Sequence, residues 1–370
     1  MNFPGLDPIY TWTHHAGHAV RLIRTWSLLD TYAALGRDKR VLVVVTTALG
    51  DSILTTPLIQ TLYDQLGRDR VSLLVKTPYA ELYQADKRLH RVFTVRGKYR
   101  WGSLQEKLEE DPHRIALIAN LTEPDLIPFL WRCGVRGFLR YRTRWTRYPR
   151  WIANNTMLRR PGDPDYATGH AIENNLAMGK ALGMEPTTHR LALPHLATPS
   201  LPRENVVLIH PGASREIKRW PVANWARVAD TLAERFQCGI ALTGDRSEVS
   251  LAVQIAAAMK TRPQILAGKL SLTQLAALQS RALAFLSGDT GPYHLAIAVE
   301  CATVTLFAPT DRGSSVEACG PHQSPADRHR ALQTRQAGDS IATITVDDFL
   351  KEAIATIETV QMRRAHGLYP

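Results

Sequence analysis

Four short stretches of this chain hold side chains whose types and spacing could do chemistry. Leu49-Gly50-Asp51 presents a carboxylate directly after a glycine. His210-Pro211-Gly212-Ala213-Ser214, running on to Lys218-Arg219-Trp220-Pro221, presents a hydroxyl and a lysine. Thr243-Gly244-Asp245-Arg246-Ser247-Glu248 presents acids in a tight turn, and Gly288-Asp289-Thr290-Gly291-Pro292-Tyr293-His294 an acid, a hydroxyl and an imidazole around two glycines. A phosphate or diphosphate needs cations or oriented N–H groups to stabilise its charge. Lys218 supplies a cation, the Thr290 and Gly291 backbone supplies N–H groups, and Ser214 can add a hydroxyl. Asp51 is the carboxylate placed to take a proton, and Glu248 could bond a ribose hydroxyl. Each has a plainer account. Asp51 suits a helix N-cap, Lys218 a solvated surface, His294 a packed helix face and Glu248 a helix start favoured by the dipole. His210 is expected to shape its loop rather than titrate.

These residues need strand ends to hold them. Leu283–Leu286 is a short apolar strand, Ser287–Gly291 a turn, and Pro292–Val299 a helix. Pro292 sits where its missing N–H is harmless, and Thr290 is placed to cap through its hydroxyl. A strand, a glycine turn and a helix N-terminus together form an anion site. Val41–Val45 is a β-branched run suited to a strand covered on both faces, and Ser52–Leu66 reads as the helix after it. Strand and helix patterns then alternate through Val71–Val75, Tyr79–Gln84, Val92–Val95, Leu104–Glu110 and Ile115–Ala119. A second series runs from Val206–Ile209 to Thr303–Phe307, and a helix at Asp347–Val360 ends the chain. Alternation of this kind predicts parallel sheets with crossover helices. Residues 183–204 carry four prolines and no strong periodicity, which marks a linker. Residues 308–340 read as loop.

At 370 residues the chain exceeds one ordinary core. The boundaries expected are an N-terminal helical extension over 1–40, a first domain over 41–190, a linker over 191–204, a second domain over 205–345, and a C-terminal helix and tail over 346–370. No run approaches the roughly 18 apolar residues of a membrane span, and residues 1–15 lack the pattern of a secretory signal. The four cysteines are far apart, with no CxxC pair, which suits reduced thiols in a cytoplasm. The net charge of +11 is uneven. Residues 1–200 hold 27 Lys+Arg against 18 Asp+Glu, and residues 201–370 hold 18 against 16. The first half therefore faces something anionic. Residues 131–151 concentrate this charge, with seven arginines, interleaved aromatics and no acid. A solvated edge, a phosphate surface and a lipid-facing patch all fit it, since arginine forks onto phosphate. No nucleic-acid-binding motif accompanies it, so nucleic acid is not expected as a partner.

In order and spacing, ALGDSILTTP at 48–57, HPGASREIKRWP at 210–221, LTGDRSE at 242–248, LAGKLSLTQLAAL at 266–278, SGDTGPYHLA at 287–296 and LFAPTD at 306–311 resemble glycosyltransferase family 9, the ADP-heptose:lipopolysaccharide heptosyltransferases. The resemblance spans about residues 41–360. It implies an α/β fold of GT-B architecture, with two Rossmann-like doubly wound domains facing a central cleft. The N-terminal domain would hold the acceptor and the C-terminal domain the nucleotide sugar. It further implies transfer with inversion, no metal ion and no cofactor. By position, Asp51 becomes the catalytic base. Lys218, Ser214, Thr290 and Gly291 become donor-diphosphate contacts, and Asp289, His294 and Glu248 line the donor pocket. The implied partners are ADP-heptose and a phosphorylated lipopolysaccharide core, with cytoplasmic localisation and peripheral contact at the inner membrane surface. Arg140, Arg142, Arg144 and Arg147 are then candidate acceptor contacts. Val45 stands where relatives usually carry Arg, and Ala308 where they carry Gly. A GT-B enzyme using a UDP-sugar, an epimerase of that architecture, and a non-catalytic binding protein are the alternatives.

Overall fold

The computed structural model describes residues 40–96, 102–120, 126–141, 157–158, 169–197, 204–310, 314–324 and 327–368. The helix expected over 16–36 and the candidates Arg142, Arg144 and Arg147 lie outside the described residues. Two units divide the chain between His189 and Arg190.

The first unit is a six-stranded sheet. Its strands are β1 (Val41–Val45), β2 (Val71–Lys76), β3 (Arg91–Val95), β4 (Ile115–Asn120), β5 (Gly137–Tyr141) and β6 (Met157–Leu158). They are ordered β3-β2-β1-β4-β5-β6, and every adjacent pair is parallel. All five residues of β1 are buried, as a β-branched run covered on both faces must be. The chain then makes helices α1 (Leu49–Ile53) and α2 (Thr56–Leu66), a 3₁₀ turn over Thr77–Leu82, and helices α3 (Gly102–Glu110), α4 (Leu126–Arg132) and α5 (Ala171–Ala181). The single helix expected over Ser52–Leu66 is broken at Leu54-Thr55. Pro57 lies in the first turn of α2 and has no N–H to give the carbonyl of Ile53, so the ladder must restart there.

The second unit repeats the topology. Strands β7 (Val206–His210), β8 (Gly239–Leu242), β9 (Gln264–Ile265), β10 (Ala284–Gly288), β11 (Thr303–Phe307) and β12 (His329–Gln333) are ordered β12-β11-β10-β7-β8-β9, again all parallel. The helices are α6 (Val222–Phe236), α7 (Val249–Ala258), α8 (Leu272–Gln279), α9 (Gly291–Ala298), α10 (Val316–Cys319) and α11 (Val346–Ala365). Within the span expected to be a linker, Leu193 is fully buried, and its N–H donates to the Ala298 carbonyl at 2.9 Å.

Both sheets are doubly wound, with the first strand central and the order reversing beside it. That reversal is the switch point where open α/β sheets bind ligands, outside the carboxyl ends of the strands. In unit one it falls at β1 and β4, in unit two at β7 and β10. Among the described residues no helix is long and apolar enough to cross a membrane.

Candidate functional site

Three of the four segments singled out in the sequence leave the strands at those switch points, and the fourth, Thr243–Glu248, follows β8 beside them. Asp51 follows β1, the 211–219 loop follows β7, and Asp289-Thr290-Gly291 follows β10.

Asp51 is not the N-cap of its helix. Ala48 is, and Asp51 occupies the third helical position, where its Oδ2 accepts the Ala48 N–H at 3.2 Å. A carboxylate in the first turn is favoured by the helix dipole. Beneath it, Ser52 is wholly buried and donates its hydroxyl to the Leu49 carbonyl at 2.7 Å. The Tyr83 hydroxyl donates to Ser52 Oγ at 2.9 Å, and Asn175 Nδ2 on α5 donates to the Leu54 carbonyl at 2.9 Å. The short helix carrying Asp51 is thus held from below by buried hydrogen bonds.

In unit two, the loop after β7 is anchored by an aromatic side chain. Trp220 is 3% exposed, stands 5.0 Å from the Trp225 ring and 5.1 Å from that of Phe349, and donates its indole N–H to the Ile344 carbonyl at 3.1 Å. Burial of this large ring fixes where the preceding 3₁₀ turn, Glu216–Lys218, must lie. Lys218 then reaches back to β10, its Nζ 2.6 Å from Asp289 Oδ2. The same oxygen accepts the Ser314 hydroxyl at 2.5 Å. Burial alone raises the Asp289 carboxyl. The charges of Lys218 and His294, with hydrogen bonds from Lys218 and Ser314, outweigh it and hold the group below the usual carboxylate range.

Asp289 leads directly into Thr290 and Gly291, the N-cap and first residue of α9, with Pro292 in the first turn. The amides at a helix start have no intrahelical acceptor, so they and the dipole face the loop as an anion cradle. Thr290 sits at the cap position, but its hydroxyl makes no capping bond, contrary to expectation. His294 is buried on α9, its ring 4.8 Å from that of Tyr293. Ser214 is exposed, and no hydrogen bond joins it to the Lys218–Asp289 pair among the described residues.

Glu248 behaves as its plainer account describes. Asp245 and Glu248 form a capping box, in which Glu248 Oε2 accepts the Asp245 N–H at 2.8 Å. Its carboxylate also crosses Gly212, where a Cβ would lie 1.7 Å from Oε1. Only glycine permits this crossing, which joins the loops after β7 and β8. His210 is held in the same cluster, Nδ1 3.3 Å from Thr243 Oγ1 and Nε2 3.8 Å from Glu248 Oε2. Burial lowers its pKa, with the Glu248 and Asp245 charges opposing.

Asp289, His294 and Cys319 bring three metal-type ligand atoms within 4.8 Å of one another. The Lys218 ammonium already pairs with that carboxylate, and a metal ion there would meet its charge. Arg140 lies in β5, its backbone in register with Ile118 and Met157.

Residues 176–327 match the sequence profile described as glycosyltransferase family 9 (heptosyltransferase). In this stretch the chain resembles glycosyltransferase family 9. The enzyme is a glycosyltransferase. It is 26% identical over 285 residues to lipopolysaccharide heptosyltransferase 3 of Escherichia coli, covering 71% of this chain and 81% of that protein. The solved structure of a family 9 glycosyl transferase from Veillonella parvula superposes with a TM-score of 0.69 at 19% identity, covering 86% of this chain and 97% of that one. The E. coli heptosyltransferase WaaC, solved with ADP, gives 0.68 at 19%, covering 86% and 99%. The fold of this glycosyltransferase is accordingly GT-B, as its sequence predicted.

Three features of the site had no local signal. Ser314 and Cys319 approach Asp289 from a stretch read as loop, and Tyr83 approaches Ser52 from 31 residues away.

Proposed function

We propose that this glycosyltransferase moves heptose from ADP-heptose to a phosphorylated lipopolysaccharide inner-core sugar, with inversion and without a metal ion. In a single displacement, the acceptor hydroxyl oxygen attacks the anomeric carbon as its proton passes to Asp51. The bond from that carbon to the diphosphate oxygen breaks on the opposite face, and ADP departs with the electron pair. Lys218 and the amides of Thr290 and Gly291 stabilise the charge that develops on the diphosphate. Asp289 holds Lys218 in place, and His294 lies behind it. Ser214 supplies a further hydroxyl contact from an exposed position, and Glu248 acts mainly by joining the loops that receive the nucleotide.

The observation that carries the reading is the meeting of the Lys218–Asp289 pair with the N-terminus of α9 at the switch point of unit two. The Lys218 ammonium and the helix dipole there suit a diphosphate, and a relative 26% identical to this chain is a lipopolysaccharide heptosyltransferase. The basic balance of residues 1–200 supports a phosphorylated acceptor at an anionic membrane surface, with Arg140, Arg142, Arg144 and Arg147 among its contacts.

The test is release of ADP and UDP from a panel of nucleotide sugars in EDTA, with and without deacylated lipopolysaccharide core. Acceptor-dependent ADP release from ADP-heptose is the expected result. Release from a UDP-sugar alone would reassign the donor, and silence throughout would remove the proposal.

A further inference from the structure

One 3₁₀ turn brings two tyrosines to the helix that carries Asp51. Strands β1 and β2 are adjacent and parallel, with Val45 opposite Val75, so the segments leaving them emerge at one edge of the sheet. The turn Thr77–Leu82 follows β2 and ends against Tyr83. Tyr83 is wholly buried, and its hydroxyl locks onto Ser52 Oγ, which in turn holds the Leu49 carbonyl. This buried chain ties the turn to the Asp51 helix from beneath. Tyr79 lies on the same turn but is only half-buried. The turn that carries it is tied to the Asp51 helix through Tyr83 and Ser52, which brings its phenol within the influence of the Asp51 charge and the Leu49 backbone. Burial raises its ionisation, the Asp51 charge raises it further, and the Leu49 backbone opposes. Tyr79 is therefore a neutral phenol at physiological pH, able both to donate and to accept.

A base that holds its acceptor through one hydroxyl leaves the sugar free to turn about that contact. A second fixed contact removes this freedom, and orientation of that kind carries a large share of rate enhancement. We propose that Tyr79 is an acceptor-contact residue whose hydroxyl binds a second oxygen of the sugar that Asp51 deprotonates. The proposal rests on the glycosyl-transfer reading above. Tyr79 keeps its own proton throughout, and the acceptor's proton goes to Asp51. Its ring offers an apolar face to the C–H surface of the sugar. Tyr83, buried and engaged with Ser52, is the brace that sets the distance between them.

The experiment compares wild type with Tyr79→Phe and Asp51→Asn. In Tyr79→Phe, kcat/KM for the core acceptor should fall about tenfold, roughly the worth of one hydrogen bond to an oriented group. ADP affinity by calorimetry and the melting temperature should stay at wild-type values. Tyrosinate absorbance titrations, taken as the difference between matched proteins with and without the Tyr79 hydroxyl, isolate this phenol. In the Asp51→Asn background its transition should move to lower pH, because a neighbouring negative charge has gone. An unmoved transition overturns the proposal whatever the activity. So does wild-type acceptor kinetics in Tyr79→Phe, and so does a matching fall in stability or ADP affinity, which marks a structural role only. Transfer retained by Asp51→Asn removes the base assignment and this inference with it. Wild-type acceptor kinetics in Tyr79→Phe beside an inactive Asp51→Asn removes this inference alone.

Discussion

The Lys218 ammonium is 2.6 Å from the Asp289 carboxylate, across 71 residues of sequence, with both side chains about nine-tenths buried. A pair so enclosed is weak as a source of stability but expensive to break, because the remaining partner keeps its charge without compensation. It also presents a fixed cation at the start of α9. Asp289→Ala should therefore lose about 3 kcal/mol in denaturant unfolding, and ADP should raise its melting temperature by more than it raises that of wild type. The diphosphate then supplies the anion that Lys218 has lost. Equal ADP shifts in the two proteins would show that Lys218 does not meet the diphosphate.

Lys218→Ala and the double variant Lys218→Ala/Asp289→Ala extend the same argument. Each single change should lower kcat/KM for the donor by about two to three orders of magnitude, the range for loss of one charge-stabilising group. The double variant should be little worse than either, since the residues act as a unit. Fully additive losses in a double-mutant cycle would mean that the two act independently.

Asp51→Asn and Asp51→Ala separate chemistry from folding. Asn keeps an oxygen for the Ala48 N–H, and Ala does not. Turnover should fall by about 10²–10⁴ in both, as for loss of a general base. Stability should fall by about 1 kcal/mol in Asp51→Ala only, the usual cost of a lost first-turn contact. Activity in Asp51→Asn near that of wild type would exclude the base role.

Gly212→Ala tests the crossing of Glu248. A Cβ 1.7 Å from the Glu248 carboxylate cannot be accommodated without moving that side chain. The expected loss is about 1–3 kcal/mol, as for other overpacked sites, with weaker ADP binding because the loops after β7 and β8 separate. Glu248→Ala in the same background should restore part of the stability. No recovery would place the strain elsewhere.

Acid should unfold unit two through His329. This imidazole is buried at the start of β12, 3.1 Å from Thr303 Oγ1. Burial first, then the Arg328 charge, lowers its pKa to about 3, with Asp327 opposing. The unfolded chain therefore binds a proton near pH 6.5 that the folded chain refuses until about pH 3. Stability is full above the unfolded value and declines as pH falls through this window, by up to about 1.4 kcal/mol per unit for one such group. His329→Gln should flatten the decline measured by urea unfolding between pH 6.5 and 4. An unchanged slope would assign the acid sensitivity to other groups.

Turnover should be the same in EDTA as in divalent cations, since Lys218 already supplies a positive charge to the Asp289, His294 and Cys319 cluster. Loss of activity on chelation, restored by one added metal, would overturn metal-free transfer.

Much of this molecule was legible because its determinants are local. Val41–Val45 reads as a covered strand from five β-branched or apolar residues in succession. The glycine turns before Asp51, before Ser214 and around Asp289 follow from residue types alone, as does the helix start at Pro292. Those features place Asp51, Lys218 and Asp289 at strand ends, and they announce the doubly wound units. Tertiary structure decided the rest, through contacts between residues remote in sequence. Strands β5 and β12 (GFLRY and HRALQ) carry arginines and a histidine and lack the apolar run of a central strand. They are strands because β4 and β11 offer them hydrogen-bonding edges. Thr290 reads as a hydroxyl cap, yet the fold leaves that bond unmade. The partner of Lys218, the crossing of Glu248 over Gly212 and the approach of Tyr79 and Tyr83 to the Asp51 helix all depend on the order of strands in a parallel sheet. That order is set by burial summed over each whole unit, and no short window of sequence contains it.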